Sequence, residues 1–345
     1  MKKFLVSVLV IANLGASYAQ QEINGGPINV PSENIIDGVY IKEHIPTKRL
    51  IPYEFVREAD VIWSKRVWRT IDLREKINHP LYFPFDEYLN QNKPNEQWVR
   101  NSTRWSLWTV IKHHVMNSDL TMFSVFNPYN IIQDGNPDGD LFKYPVRPET
   151  GKNYFTDSLF KNQVDERFAT ITGSGFRPVP SKIDGTDSVT IEIDPATGME
   201  IEVGVNEPYV DKEWIVSKDI VSYELKEDWF FDKERSVMDV RILGICPVIY
   251  EATKEGGKYK ELFWLYFPNC RFVFNNYFSY NTKNDAQWVS FDDLFWKRQF
   301  SSYIYKESNV FERKIDSYRT GVDALRESEK ITEEIRNIEH DVWHF

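Results

Sequence analysis

Residues 261–278 read ELFWLYFPNCRFVFNNYF, a strongly apolar stretch in a chain that is otherwise rich in charge. Leu262 to Phe267 is unbroken, but a membrane span takes about 20 apolar residues. Asn269, Arg271, Asn275 and Asn276 interrupt the remainder of the stretch. A short aromatic run without alternation predicts a strand covered on both faces. Upstream, Val237 to Tyr250 has the same character, and EGGK (255–258) is a turn signal between the two. Val237 to Phe274 therefore predicts a β-hairpin, and Ser222 to Phe231 extends it into an antiparallel meander. Cys246 and Cys270 sit in its two arms. With Gly256-Gly257 as a two-residue loop, Cys246 faces Phe267 and Cys270 faces Leu243. A bulge or a longer loop brings the two cysteines opposite each other, within the reach a disulfide demands. A disulfide and a pair of buried free thiols both fit the pattern.

Helices are expected on either side of this meander. Pro52 to Asn78 reads as one, ending at His79-Pro80, where proline disfavours continuation. Glu96 to Met116 reads as a second. Asn127 to Thr150 is a loop dense in Pro, Gly and Asp. SVTIEI and MEIEVGV alternate around DPATG within 187–205 and predict another hairpin, inside an insert at about 150–215. Phe291 to Phe300 predicts a short helix. Val322 to Trp343 closes the chain with a helix whose apolar stripe is Val322, Leu325, Ile331, Ile335, Ile338 and Val342, with Thr320 as its N-cap. The fold expected is α+β: an antiparallel sheet over about 222–274, packed with N-terminal and C-terminal helices, in one domain spanning 51–345.

The N-terminus predicts export. MKKFLVSVLVIANLGASYA has two lysines, a short apolar run and small residues before Ala19, the pattern of a secretory signal peptide over 1–19. No cysteine stands at the cleavage point, so no lipid anchor is expected there. Residues 20–50 form an arm rich in Pro, Gly and Asn, expected to be extended unless a partner orders it. The chain carries 42 basic against 52 acidic residues before the leader's lysines are removed. That excludes a nucleic-acid partner, whose phosphates need clustered cations. Aromatic residues make 15% of the chain, 11 of them Trp, a surplus that serves cores and interfaces alike.

Motifs for chemistry are sparse. DGNPDGD (134–140) places Asp134, Asn136 and Asp138 at alternate positions before Gly139, the first half of a calcium loop. Position twelve is Pro145 rather than a bidentate Glu, and the same residues also make ordinary turns. HDVWH (340–344) sets His340 and His344 four apart, superficially like the zinc motif HExxH. His113 and His114 are adjacent and cannot share a helix face. No GxSxG, Walker loop or GxGxxG is present, and no cofactor or catalytic residue is assigned. DVIWSKRVWRTIDLREKINHP (60–80) interleaves Trp with Arg. Read as a helix, Trp63 and Val67 face the core, and Arg69 pairs with Asp72. Arg66, Trp68 and Arg69 are the partner-interface candidates, being the types that dominate interface hot spots.

Five segments carry a resemblance: ADVIWSKRVWRTIDLREKINHPLYFP (59–84), GICPVIY (244–250), LFWLYFPNCR (262–271), SFDDLFWKRQFSSYIYKESN (290–309) and GVDALRESEKI (321–331). In this order they resemble the gliding-motility family GldN, called PorN in non-gliding relatives. The resemblance implies a non-enzymatic periplasmic component of the type IX secretion system of Bacteroidota. It also implies a ring with the outer-membrane lipoprotein GldK (PorK) and a functional link to inner-membrane GldL and GldM. The family supplies no catalytic residue to carry over. Two other classes stay open from the residues alone: a metal-dependent envelope hydrolase, and a periplasmic glycan- or peptide-binding module.

Overall fold

The computed structural model describes residues 49–342 except for 90–96, 102–103, 129–136, 179–188, 194–199, 205, 254–255, 285–286, 288 and 312. In chain order the strands are β1 (Val61–Asp72), β2 (Glu87–Leu89), β3 (Gln97–Val99), β4 (Met122–Phe123), β5 (Pro145–Val146), β6 (Ala169–Pro178), β7 (Val189–Ile193) and β8 (Glu200–Gly204). They continue with β9 (Asn206–Trp214), β10 (Ile220–Asp232), β11 (Val237–Thr253), β12 (Gly256–Glu261), β13 (Trp264–Tyr266), β14 (Phe278–Ser279), β15 (Val289–Ser290) and β16 (Tyr303–Glu307). The α-helices are α1 (His79–Tyr82), α2 (Leu107–Met116), α3 (Ser158–Phe168), α4 (Phe267–Phe274), α5 (Phe291–Trp296) and α6 (Val322–Val342). The mixture is α+β. The expected signal peptide and most of the arm lie outside the described residues.

An antiparallel sheet runs in the order β16-β1-β10-β11-β13-β4-β5, with β12 also on β11. β10 and β11 pair from Ile220↔Ile249 to Asp232↔Val237, so the first two strands of the expected meander form. The helix expected over 52–78 does not: β1 pairs with β10 from Val61↔Asp232 to Asp72↔Ser222. The segment VIWSKRVWRTI is β-branched and aromatic, side chains that fit a pleated sheet better than a helix. As a strand it buries Val67 and Ile71 on one face and Trp68 on the other. A helix could not present both sets to packed layers. The second expected helix starts later than read. Gln97–Val99 pairs with β2, and α2 begins after Ser106, whose Oγ accepts from the Thr109 amide.

The stretch 261–278 divides. Glu261 ends β12, Trp264–Tyr266 forms β13, and Phe267 starts α4. Pro268 lies in the first turn of that helix, where its missing N–H leaves no bond unmade. Phe267, Cys270, Val273 and Phe274 are buried, while Phe272 points outward. Of the two alternatives for the cysteines, this favours the free thiols over the disulfide. Cys246 lies in the cluster of Trp68, Val125, Val248 and Trp264, whereas Cys270 lies in the main core on the other side of the sheet. Both thiols are free. The turn is displaced too: Gly256 pairs with Thr253 and Gly257 with Ala252, inside the ladder rather than at its tip.

Helices cover one face of the sheet. Ile71, Tyr223, Leu225, Ile245 and Leu265 meet Trp108 and Ile111 of α2, Phe274 of α4 and Phe295 of α5 in one core. Each fully buried Leu, Ile or Phe contributes about 1.5–3 kcal/mol. The C-terminal helix α6 packs Ile331 and Ile335 onto Val67 and Ile304, while Val322 and Leu325 of the expected stripe stay exposed. The hairpin expected within 187–205 pairs from Val189↔Gly204 to Ile193↔Glu200. At the base of this region, Phe160, Val164, Phe168 and Trp214 join the main core.

On the opposite face, residues 139–141 form a 3-10 turn that seals one end of the sheet. A Cβ on Gly139 would lie 2.7 Å from Val125 Cα and 2.8 Å from Trp264 Cδ1. Gly139→Ala should therefore destabilise by about 1–3 kcal/mol through overpacking, seen as a lower urea midpoint. Gly151 has open space around it but a φ of +81°, so Gly151→Ala meets only the left-handed backbone penalty of about 1–2 kcal/mol. Loss of near-ultraviolet tertiary signal should accompany the first substitution only. Unchanged stability in Gly139→Ala would contradict this packing.

Candidate functional site

Alternation along the strands sends one set of side chains to the face away from the helices. Cross-strand pairing aligns Tyr303 with Thr70, Thr70 with Glu224 and Glu224 with Cys246. Ser222 pairs with Asp72 and Val248, and Val248 with Glu261. A register shift between Trp68 and Arg69 against β16 lets Tyr305 reach Glu224 while Lys306 lies over the Trp68 ring, the re-aiming a bulge produces. The Gly139–Leu141 turn fills one end of this face. At the other end a cavity of about 370 Å³ stays open, lined by Thr70, Asp72, Ser222, Glu224, Tyr303 and Lys314 among others. Tyr259, Tyr303 and Leu325 at its mouth are 56%, 40% and 54% exposed.

Glu224 lies at the floor, 9% exposed. Its Oε2 accepts a hydrogen bond of 2.6 Å from the Tyr305 hydroxyl. Lys314 Nζ is 3.3 Å from Glu261 Oε1, and Trp264 Nε1 donates to Glu261 Oε2 at 3.1 Å. Burial first, and Glu261 second, push the Glu224 carboxyl up to about 7. Burial also pushes the Cys246 thiol well up, with Glu261 and Glu224 adding to it. Burial works against the Lys314 charge, but Glu224 and Glu261 outweigh it and raise its pKa. The site thus joins a carboxyl that titrates near neutrality to a neighbouring lysine–glutamate pair. Such arrangements mark functional positions more often than chance, though ion networks also produce them.

Sequence reasoning missed this group. The available signal was SYELKED within a strand: Glu224 and Lys226 occupy alternate positions whose neighbours are packed.

The residues singled out from sequence are scattered. Arg66 ion-pairs with Asp228 through two hydrogen bonds, 2.6 and 2.7 Å, and keeps part of its side chain in solvent. Trp68 is buried and donates to Asp140 Oδ2 at 3.0 Å. Arg69 is buried on the other face, 3.2 Å from Glu227 without hydrogen-bond alignment, so its expected pairing with Asp72 is not made. Asp72 instead holds Arg74. Asp134 and Asn136 lie outside the described residues, and Asp138 ion-pairs with Lys143 at 3.1 Å. His114 bridges Asp119 (2.6 Å) and the Tyr277 hydroxyl (2.8 Å). Burial, with His114 and Arg100 nearby, lowers His113 to about 4. His340 is exposed near the end of α6, and His344 lies outside the described residues. Among the described residues no group of three or more His, Cys, Asp or Glu is placed to hold a metal ion, and no helix is long and apolar enough to cross a membrane.

The raised pKa of Glu224 sets the sign of its effect on stability. Between the ordinary value of 4.5 and about 7 the folded chain keeps a proton that the unfolded chain releases, so stability is fullest below 4.5 and falls as pH rises to 7. Glu224→Gln keeps the neutral shape. Between pH 5 and pH 8 it should lose less stability than the unsubstituted protein, by on the order of 2–3 kcal/mol. Urea titrations at the two pH values measure this, and equal losses would contradict the assignment.

Among curated proteins none matches the chain. The family model described as "Gliding motility associated protein GldN" matches residues 56–344, nearly all of the described chain. The match takes in both β1, which contributes Thr70 to the open face, and α6, which contributes Leu325 to its mouth. The chain belongs to the GldN family of gliding motility associated proteins.

Proposed function

We propose that the chain is a non-catalytic structural subunit of the type IX secretion and gliding machinery. In this reading the leader exports it to the periplasm, and a GldK (PorK) type lipoprotein holds it to the inner face of the outer membrane. Copies of the complex assemble into a ring that works with inner-membrane GldL and GldM. The observation that carries the reading is the family match over 56–344, which makes the chain a component of gliding motility and type IX secretion.

The surface supports a binding role. A ring subunit meets its neighbours through two different patches. The open sheet face, with Tyr259, Tyr303 and Leu325 exposed at its mouth, is one surface suited to contact. Phe155 and Leu159, 75% and 71% exposed around the start of α3, form another. Large apolar residues exposed together on a folded chain mark contact sites. Arg66, ion-paired with Asp228, keeps part of its side chain in solvent beside the filled end of the sheet face.

Deleting the gene should abolish both spreading motility and secretion through this pathway. Tagged protein extracted under mild detergent should co-purify with an outer-membrane lipoprotein in an assembly far larger than 40.8 kDa. Recovery of the tagged chain alone, together with normal secretion in the deletion strain, would overturn the reading.

A further inference from the structure

The cavity on the open sheet face has an electrostatic mismatch inside it. Two cations line it, Arg74 and Lys314. Arg74 is held by Asp72 at 2.6 Å and Lys314 by Glu261 at 3.3 Å. Glu224 is nine-tenths buried, and its hydrogen-bond donor is the neutral Tyr305 hydroxyl. Asp316, also in the lining, is exposed to water. The charged and titratable groups around Glu224 come from every neighbouring element: Asp72 and Arg74 from and just after β1, Cys246 from β11, Glu261 from β12, Tyr305 from β16, Lys314 beyond it, and Asp140 from the sealing turn. Asp72, Glu261 and Asp140 are each met by a cation, Arg74, Lys314 and Lys226 respectively, which leaves the charge of Glu224 over. Lys314 feels the Glu224 charge as well as that of Glu261, but its ion pair is with Glu261. A buried carboxyl with no ion-pair partner of its own is ionised at a cost, and a second cation brought to it relieves that cost and gains a charge-assisted hydrogen bond.

The mouth adds shape to charge. Tyr259, Tyr303 and Leu325 present apolar and aromatic surface, which suits the alkyl stem and cationic head of a basic side chain. The volume of about 370 Å³ falls in the range of small-ligand pockets.

We propose that this cavity is a receptor for one lysine or arginine side chain of a partner protein, its cationic head ion-paired with Glu224 and its stem lying along Tyr259, Tyr303 and Leu325. The inference rests on the structural-subunit reading, which supplies a protein partner. It names the chemistry by which that partner is held.

The test uses purified full-length protein and three small probes: Nα-acetyl-arginine amide, Nα-acetyl-lysine amide and the neutral isostere Nα-acetyl-citrulline amide. Ligand-observed saturation-transfer NMR should show binding of the two cationic probes and none of citrulline. Binding requires ionised Glu224, which titrates near 7. The apparent affinity for arginine should therefore fall about tenfold from pH 8 to pH 6, in proportion to the competent fraction. Glu224→Gln should abolish the signal. Tyr303→Ala, at the exposed rim, should weaken it several-fold with an unchanged circular dichroism spectrum, so the inference stays testable if the buried substitution unfolds the chain. Equal binding of citrulline and arginine, undiminished binding in Tyr303→Ala, or no binding of either cationic probe at millimolar concentration would overturn it. If the probes fail while the lipoprotein still co-purifies, this inference falls and the structural-subunit reading stands. If the probes bind and no complex is recovered, the cavity stands and that reading falls.

Discussion

The ladder joining β1, β10 and β11 decides which side of the chain is core and which is surface. Its period of two sends Ile71, Tyr223, Leu225 and Ile245 to the helices, and Thr70, Glu224 and Cys246 to the other side. A slip of one residue in any of these pairings would put Glu224 under the helices and Leu225 in the open face. The helical layer, the sealing turn at Gly139 and the open cavity all depend on that register. A single bulge on the β16 side, between Trp68 and Arg69, then turns Tyr305 toward Glu224.

Charge is held inside this frame by aromatic surroundings. Lys112 is fully buried among Tyr88, Trp98, Trp108, Phe168 and Trp214, and donates to the Ile215 carbonyl at 2.9 Å. Arg271 ion-pairs with Asp292 while lying over Tyr53 and Trp296 at 4.2 and 4.7 Å. Arg298 binds Glu227, which is fully buried, through two hydrogen bonds and covers Trp229. Desolvated cation–π contacts are worth about 2 kcal/mol each, and a buried ion pair stripped of one partner costs about 3–5 kcal/mol. Much of the aromatic surplus is therefore used in the interior. Tyr259 and Tyr303, which remain outside, carry more meaning for it.

The sequence made some of this legible and hid the rest for identifiable reasons. β10, β11, α6 and the 189–204 hairpin were readable because each has one period only. β1 was misread because Trp63 and Val67 are four apart, a spacing shared by a helix face and by one face of a strand. Trp68 then decides the matter, but only once a second packed layer is known. α4 was hidden by aromatic residues with strand preference, although Pro268 in a first turn and the spacing of Phe267, Cys270 and Phe274 both suit a helix. That error made Cys246 and Cys270 a candidate pair. The site was not legible: Glu224 stands out only when three separately placed segments bring Tyr305, Lys314 and Glu261 around it. In DGNPDGD the glycine at 139 answers to the backbone of Val125, and Asp140 receives Trp68 and Lys226.

In this account the unfilled end of the sheet face is where the machinery grips this subunit. Hydroxyl-radical footprinting of the free chain, set against the complex isolated from membranes, tests it directly. Tyr259, Tyr303 and Leu325 are exposed in the free chain and should react readily there. All three should lose most of their reactivity on assembly. Equal labelling of these side chains in both states, with protection confined to other surfaces, would contradict the account.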